Sequence, residues 1–308
     1  MQTSSLKRKV RKISVTSKPY LLLLPIYLLI VIFKFIPFGM AVVKSFYQWN
    51  GSNVNEFIGF ENYISAFQDP MFTTSLYHSF LIAIAYIIIV LTVPLLAAEL
   101  LYSIRSSRKQ YIIRTAFTFP MVVPMVVVIL LWKWILAGDN GILNALLSAI
   151  GLEEYARPWL SDSSTALGAI IAVGFPWLGS AMLGGLQFLL YYGALQNIST
   201  EMIEAAELDG ANRFHKFIKI DLPMLASQMK LAVTMAIIQA IQIFENVRIL
   251  TNGGPGSASI TPSLLLYEQG FTYRKMGYAS AIGIIMFAII MILTIFNQKF
   301  MKSTESMD

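Results

Sequence analysis

Six apolar runs, at residues 19–43, 76–99, 112–136, 165–190, 225–250 and 277–297, leave this chain little choice of fold. Each holds about 20 residues or more, which is what an α-helix needs to cross roughly 30 Å of hydrocarbon. In that medium every backbone N–H and C=O must be bonded inside the segment, so the runs predict membrane helices. Ionisable residues within them, such as Lys34, Lys133, Lys230 and Glu245, sit mostly near the ends. Composition agrees. The chain is 56% hydrophobic and 13% charged, where a soluble domain carries about 25% charged residues. The expected fold is an all-α integral membrane protein with six transmembrane helices.

Basic residues set the expected orientation. Residues 1–18 contain Lys7, Arg8, Lys9, Arg11, Lys12 and Lys18, and no acid. The positive-inside rule puts this tail in the cytoplasm. Alternation then puts Arg105, Arg108, Lys109 and Arg114 inside, with Arg213, Lys216 and Lys219 in the next inner segment and Lys299 and Lys302 in the last. The outer segments are poorer in Lys and Arg, so both termini are expected inside. The net charge of +6 therefore reads as topology and calls for no nucleic-acid partner. The first run is too long for a signal-peptide core, and no small-residue cleavage site follows it, so a retained span is expected. The resulting division is a basic tail at 1–18, a first span with an outer loop at 19–75, a core at 76–298 and a cytoplasmic tail at 299–308.

Several chemistries lack a constellation. There is no cysteine, hence no disulfide or thiolate site. No Gly-rich loop with a following Lys-Ser/Thr, no H-E-x-x-H and no G-x-S-x-G is present, so neither nucleotide hydrolysis nor a protease or esterase centre is expected. No metal site is expected either. The Gly253-Gly254-Pro255-Gly256 run reads as a turn-rich outer loop. Within 48–75, Phe57, Phe60, Tyr63, Ile64 and Phe67 recur at roughly helical spacing, either as a lid over helix ends or as a binding element. The fourth run is crowded by Gly168, Gly174, Pro176, Gly179, Gly184 and Gly185. These fit tight helix packing, and equally a kinked helix that rocks beside a pore.

The polar interruption at 199–225 carries most of the functional signal. Ser199 or Thr200 can cap a helix whose first turns hold Glu201 and Glu204. Met202, Ala205, Ala206 and Leu208 give it a compact apolar face. Asp209-Gly210 breaks the run, a second helix starts from Ala211, and Leu222-Pro223 is expected to stop it. Helix, turn, helix along the membrane face fits a docking handle, and it fits a plain interfacial segment equally well.

The order Glu204-Ala205-Ala206, Asp209-Gly210-Ala211, then Phe217, Ile220 and Leu222-Pro223 resembles the EAA loop of bacterial binding-protein-dependent ABC importers. The stretches YYGALQNIST, TNGGPG and GYASAIG, with the opening PYLLLLPIYLLIVIFKFIPFGMAVVKSFYQW, are similar to the carbohydrate-uptake class of these permeases, the first of the pair in particular. The resemblance implies a type I importer permease fold in the bacterial cytoplasmic membrane, and half of a translocation path for a sugar, an oligosaccharide above all. It implies a second homologous permease, two copies of an ATPase that uses ATP and Mg, and an extracellular solute-binding protein. The chain itself would bind no cofactor and catalyse nothing. Glu204 and Glu207 would pair with the ATPase, Ala205 and Ala206 would keep the helix thin, and Gly210 would set the angle between the short helices.

For the substrate, Gln239, Gln242, Glu245 and Asn246 fall near one face of a continuous helix. Polar groups in hydrocarbon belong against a cavity or another polar group. Beside Phe244, and with Trp177 and Gln187 on the fourth run, they suit a sugar, which needs amides and carboxylates for hydroxyls and rings for its apolar faces. Polar packing between helices is the competing reading. An ion-gradient transporter is the alternative for the whole chain, although no internal repeat of that kind stands out.

Overall fold

A computed structural model describes residues 20, 22–104, 106–174 and 181–301. The tail at 1–18, most of the tail at 299–308, and Pro176, Trp177 and Gly179 lie outside the described residues, as does the side-chain environment of Gly184.

Among the described residues the fold is helical apart from one two-stranded hairpin. Three helices among the described residues are long and apolar enough to cross a membrane alone: Leu22–Lys44, Pro70–Tyr102 and Met276–Phe300. They correspond to the first, second and sixth expected spans. Two further candidates are bent pairs. Ser107–Val122 and Met125–Ile135 meet at 94°, and Arg213–Met224 and Ala226–Ile241 meet at 66°. The third run is therefore not the single straight helix its apolarity suggests. Pro120 and Pro124 flank its corner, where missing N–H groups and ring clashes break the ladder. The fourth run appears as Ala166–Ala172 and Ala181–Leu195. Its glycines do different jobs. Gly174 takes φ +86°, and a Cβ on Gly185 would strike the Met121 side chain, but Gly168 has open space beside it. Of the two whose surroundings are described, Gly185 is a close-approach glycine of the kind expected and Gly168 is not.

The core has two apolar clusters, a larger one built around Phe188, Tyr191, Leu195, Ala236, Ala240 and Val247 and a second around Phe72, Ile237, Ile241 and Ile282. The larger lies where the helix Ala181–Leu195 packs against Val93–Tyr102 and Ala226–Ile241. The first span is exposed along almost its whole length, with Leu22 and Phe33 bare; its described contact with the bundle is through the last span, where Phe38 meets Phe287 edge-on at 5.1 Å. Such a surface is stable only against lipid or another apolar chain.

The segment 48–75 holds more structure than its spacing predicts. Strand β1 (Tyr47–Trp49) pairs antiparallel with strand β2 (Asn55–Phe57), and the helix Glu61–Gln68 follows. The face that helix buries is Asn62 and Ala66, while Phe57, Phe60, Ile64 and Phe67 stay exposed. Asn62 is drawn in because its amide donates to the carbonyls of Ser45 and Tyr47 at 2.8 and 2.9 Å.

Candidate functional site

The polar stretch folds as two short helices joined by a complete Schellman turn. Ser199 caps Thr200–Leu208 by accepting from Met202 N–H at 3.3 Å. At the other end Gly210 N–H bonds Glu207 O and Ala211 N–H bonds Ala206 O, at 3.0 and 2.9 Å. The motif needs a left-handed residue, and Gly210 supplies φ +79°. Asn212 then caps the second helix by accepting from His215 N–H.

Leu222-Pro223 does not stop that helix, as the sequence suggests. Arg213–Lys216 runs into a π-turn at Phe217–Asp221 and on into Leu222–Met224. The i→i+5 bond from Leu222 N–H to Phe217 O widens the helix just ahead of Pro223, so the ring is accommodated. The chain turns instead at Leu225, at the 66° bend.

The side chains divide sharply. Phe217, Ile220 and Leu222 pack on the main core. Glu204, Ala205, Glu207, Asp209, Gly210 and Pro223 are exposed, and Ala206 and Ala211 are half-buried. Leu208 is 88% exposed, Phe214 69% and Met202 42%. The apolar face expected to be compact is thus presented outward. Exposed apolar side chains clustered on a polar stretch are the kind of surface that meets a partner or lipid.

A buried charge cluster, missed from the sequence, fastens this surface to the bundle. Asp221 is fully buried and pairs with Lys216 Nζ at 3.3 Å. The Lys216 ammonium sits 5.0 Å from the centre of the Tyr102 ring. Glu99, one turn earlier on the second span, brings another carboxyl against Asp221. Burial pushes the Asp221 carboxyl up, and Lys216 pulls it back down. Lys216 and Asp221 are five apart, which is not a pairing distance in an α-helix. In a π-turn it is.

The polar residues of the fifth run do not share one face. Its helix ends at Ile241 and restarts at Glu245. Gln239 is half-buried, Gln242 and Glu245 are exposed, and Asn246 is buried. Gln187 is buried too, with its amide nitrogen unpartnered. The break is closed from the glycine-rich loop. Thr261 Oγ1 donates to Ile243 O at 3.0 Å and Ser263 Oγ to Ile241 O at 3.3 Å. His78 Nδ1 lies 2.9 Å from Ile260 O, tying the loop to the second span. Across the bundle Lys133 Nζ donates to Ile249 O at 2.7 Å. Gln242 and Glu245 are exposed beside the broken helix, and Phe244 lies tilted against Tyr267 with ring centroids 5.2 Å apart. Among the described residues no group of His, Asp and Glu is arranged to hold a metal.

Comparison with known proteins gives the same picture. A permease from Bacillus subtilis (strain 168), "Probable ABC transporter permease protein YurN", is 37% identical over 92% of this chain and 96% of its own length. The "Diacetylchitobiose uptake system permease protein NgcF" of Streptomyces coelicolor (strain ATCC BAA-471 / A3(2) / M145) is 31% identical over 85% of this chain and 76% of its own. A chain from the crystal structure of a bacterial ABC transporter that imports alginate superposes with a TM-score of 0.81. It is 20% identical and covers 96% of this chain and 100% of its own, a likeness of fold. Residues 92–305, which include the whole polar stretch and the broken fifth run, match a family model, and the chain belongs to the binding-protein-dependent transport system inner membrane component family.

Proposed function

We propose that this chain is half of the translocation path of an ATP-driven sugar importer, and that its outward-facing helix Thr200–Leu208 is seated in a groove of an ATPase. The observation that carries this is the exposure of Leu208, Phe214 and Met202 on a stretch whose backbone is fully capped. In this reading Glu204 and Glu207 meet basic residues of the ATPase. Ala205, Ala206 and Ala211 let the surfaces approach, Asp209 and Gly210 fix the turn, and Phe217, Leu222 and Pro223 hold the second helix to the bundle. Two ATPase copies consume ATP with Mg. A second homologous permease covers the bare first span and completes the path, and both termini lie in the cytoplasm. A solute-binding protein delivers substrate on the far side, as the family description implies.

The substrate is an oligosaccharide in this reading. A diacetylchitobiose-uptake permease is among the relatives. Gln187, Gln239, Gln242, Glu245 and Asn246, with Phe244, supply amides, a carboxylate and a ring of the kind hydroxyls and apolar sugar faces select. Trp177 belongs to the same run as Gln187. An ion-gradient mechanism has no support in a family defined by its binding proteins.

The test is reconstitution of the chain with its permease partner, ATPase and solute-binding protein in liposomes. Sugar uptake that requires ATP and the binding protein is expected. Uptake driven by an ion gradient alone would defeat the reading.

A further inference from the structure

The second span begins at Pro70 and ends at Tyr102, which touches Lys216 of the coupling stretch. The last span begins at Met276 beside strand β1 and ends near the start of the fifth-run helix, where Asn297 bonds Lys230 O. Hence the hairpin and the coupling stretch lie at opposite ends of the bundle. At the hairpin end three separate segments close around a cleft of about 570 Å³, inside the range of roughly 300–1,000 Å³ seen for small-molecule sites.

The polar groups of this cleft fall into two sets. One builds the wall. Asn62 bonds Ser45 O and Tyr47 O, Asn50 accepts from Ser52 and Val54 N–H, and Asp69 caps Met71 N–H while accepting from Tyr278 Oη at 3.1 Å. The other set makes no side-chain bond in the wall among the described residues. Glu61, Arg274 and Lys275 line the cleft without a side-chain partner among the described residues. Gln269 also lines it, and its Oε1 is buried with no donor. A buried acceptor left unmade is costly unless something brings a donor. Arg274 is held at φ +55°, a left-handed conformation that costs a non-glycine residue energy and is retained mainly at functional sites. Trp49 adds a flat apolar wall.

We propose that this cleft binds a neutral oligosaccharide, an outer holding site apart from the broken fifth run. The proposal rests on the sugar-import reading and deepens it. Spare acceptors (Glu61, Gln269) and spare donors (Arg274, Lys275) facing one space suit hydroxyls, which both donate and accept. Trp49 suits the apolar face of a sugar ring. The two carboxylates and two cations that line the cleft balance, which disfavours a strongly anionic ligand.

The experiment uses the whole importer complex in lipid nanodiscs without its solute-binding protein. N,N′-diacetylchitobiose and raffinose serve as probes, read by saturation-transfer NMR, and ATP-driven uptake of the same sugars is measured with the binding protein present. Binding of a probe to the wild-type complex is expected. Gln269→Leu removes no bond of the wall, and it should weaken that binding about fivefold, the equivalent of one hydrogen bond. Trp49→Ala should weaken it further. Wild-type uptake together with probe binding that neither variant changes would overturn the cleft and leave the import reading standing. So would variants that lose affinity for the solute-binding protein while sugar binding stays intact, because the cleft would then be a protein contact. Absence of sugar uptake by the wild type would overturn both.

Discussion

The coupling stretch and the break in the fifth run both interrupt a membrane chain's helical ladder, and they are finished in opposite ways. At the break, the freed carbonyls of Ile241 and Ile243 are met by Ser263 and Thr261 of the same chain, and Ile243 and Val247 are buried beside them. Those two carbonyls need nothing from a partner. In the coupling stretch the backbone is equally complete, with two caps and a Schellman turn. Its side chains are not, since Leu208 and Phe214 are exposed. Backbone satisfaction makes both elements rigid. Side-chain satisfaction is what separates them, and on the proposed reading it makes the coupling stretch a handle and the break internal machinery.

The largest effect expected from that contrast is at the bare end. Leu208→Glu removes an apolar anchor and puts a carboxylate in its place. Loss of a central interface anchor costs about 2 kcal/mol or more, a weakening of ~30-fold. Co-purification of the ATPase with the permease pair should fall accordingly, while the thermal stability of the permease pair stays as it was. Unchanged ATPase affinity would show that the exposed face meets lipid, and the contrast would collapse.

Next comes the cluster that joins handle to bundle. Lys216→Met leaves Asp221 fully buried and deprived of its cation, beside Glu99. Breaking a buried pair costs about 3–5 kcal/mol, and roughly half of that is expected here because Lys216 is itself partly exposed. Thermal stability should drop, and ATP hydrolysed per sugar imported should rise. The double variant Lys216→Met with Asp221→Leu should recover stability, since no unpaired charge remains. If the ratio of hydrolysis to uptake recovers with it, the cluster is only structural.

Gly210 tests the turn itself. A Cβ there meets no atom within 4 Å, so any penalty comes from φ +79° alone. Gly210→Val should cost about 1–2 kcal/mol and uncouple hydrolysis from uptake. Gly210→Asn should be tolerated, because Asn visits the left-handed region. Equal behaviour of the two variants would remove the hinge role.

These contrasts explain what was legible in the sequence. Run length and charge bias locate the apolar segments because hydrocarbon demands about 20 residues, and the last helix, Met276–Phe300, falls where expected. The cap at Ser199 and the turn at Gly210 are local, so residue type reports them. The stop expected at Pro223, and the continuous face expected for Gln239, Gln242, Glu245 and Asn246, fail for one reason. A π-turn ahead of Pro223, like the one ahead of Pro37, keeps a helix going through a breaker. A pair of hydroxyls 18 and 22 residues away lets a helix without a breaker stop. The Lys216–Asp221 pair was invisible because its spacing of five is meaningless until the π-turn exists.

The smallest effect belongs to the finished end. Thr261→Val keeps the shape of a fully buried side chain but removes the 3.0 Å bond to Ile243 O. Such a bond is worth about 1 kcal/mol inside a membrane bundle, or roughly 2–4 °C in melting temperature for a chain of this size. Thr261→Ser retains the hydroxyl and should behave as the parent in sugar uptake, losing only the packing of one methyl. If the break is merely a relaxed end of a helix, the two variants will melt together. If it is held in place by the loop, Thr261→Val alone will melt earlier, and it will lose substrate affinity at Gln242 and Glu245 without any change in ATPase binding, because the handle at the other end is satisfied independently.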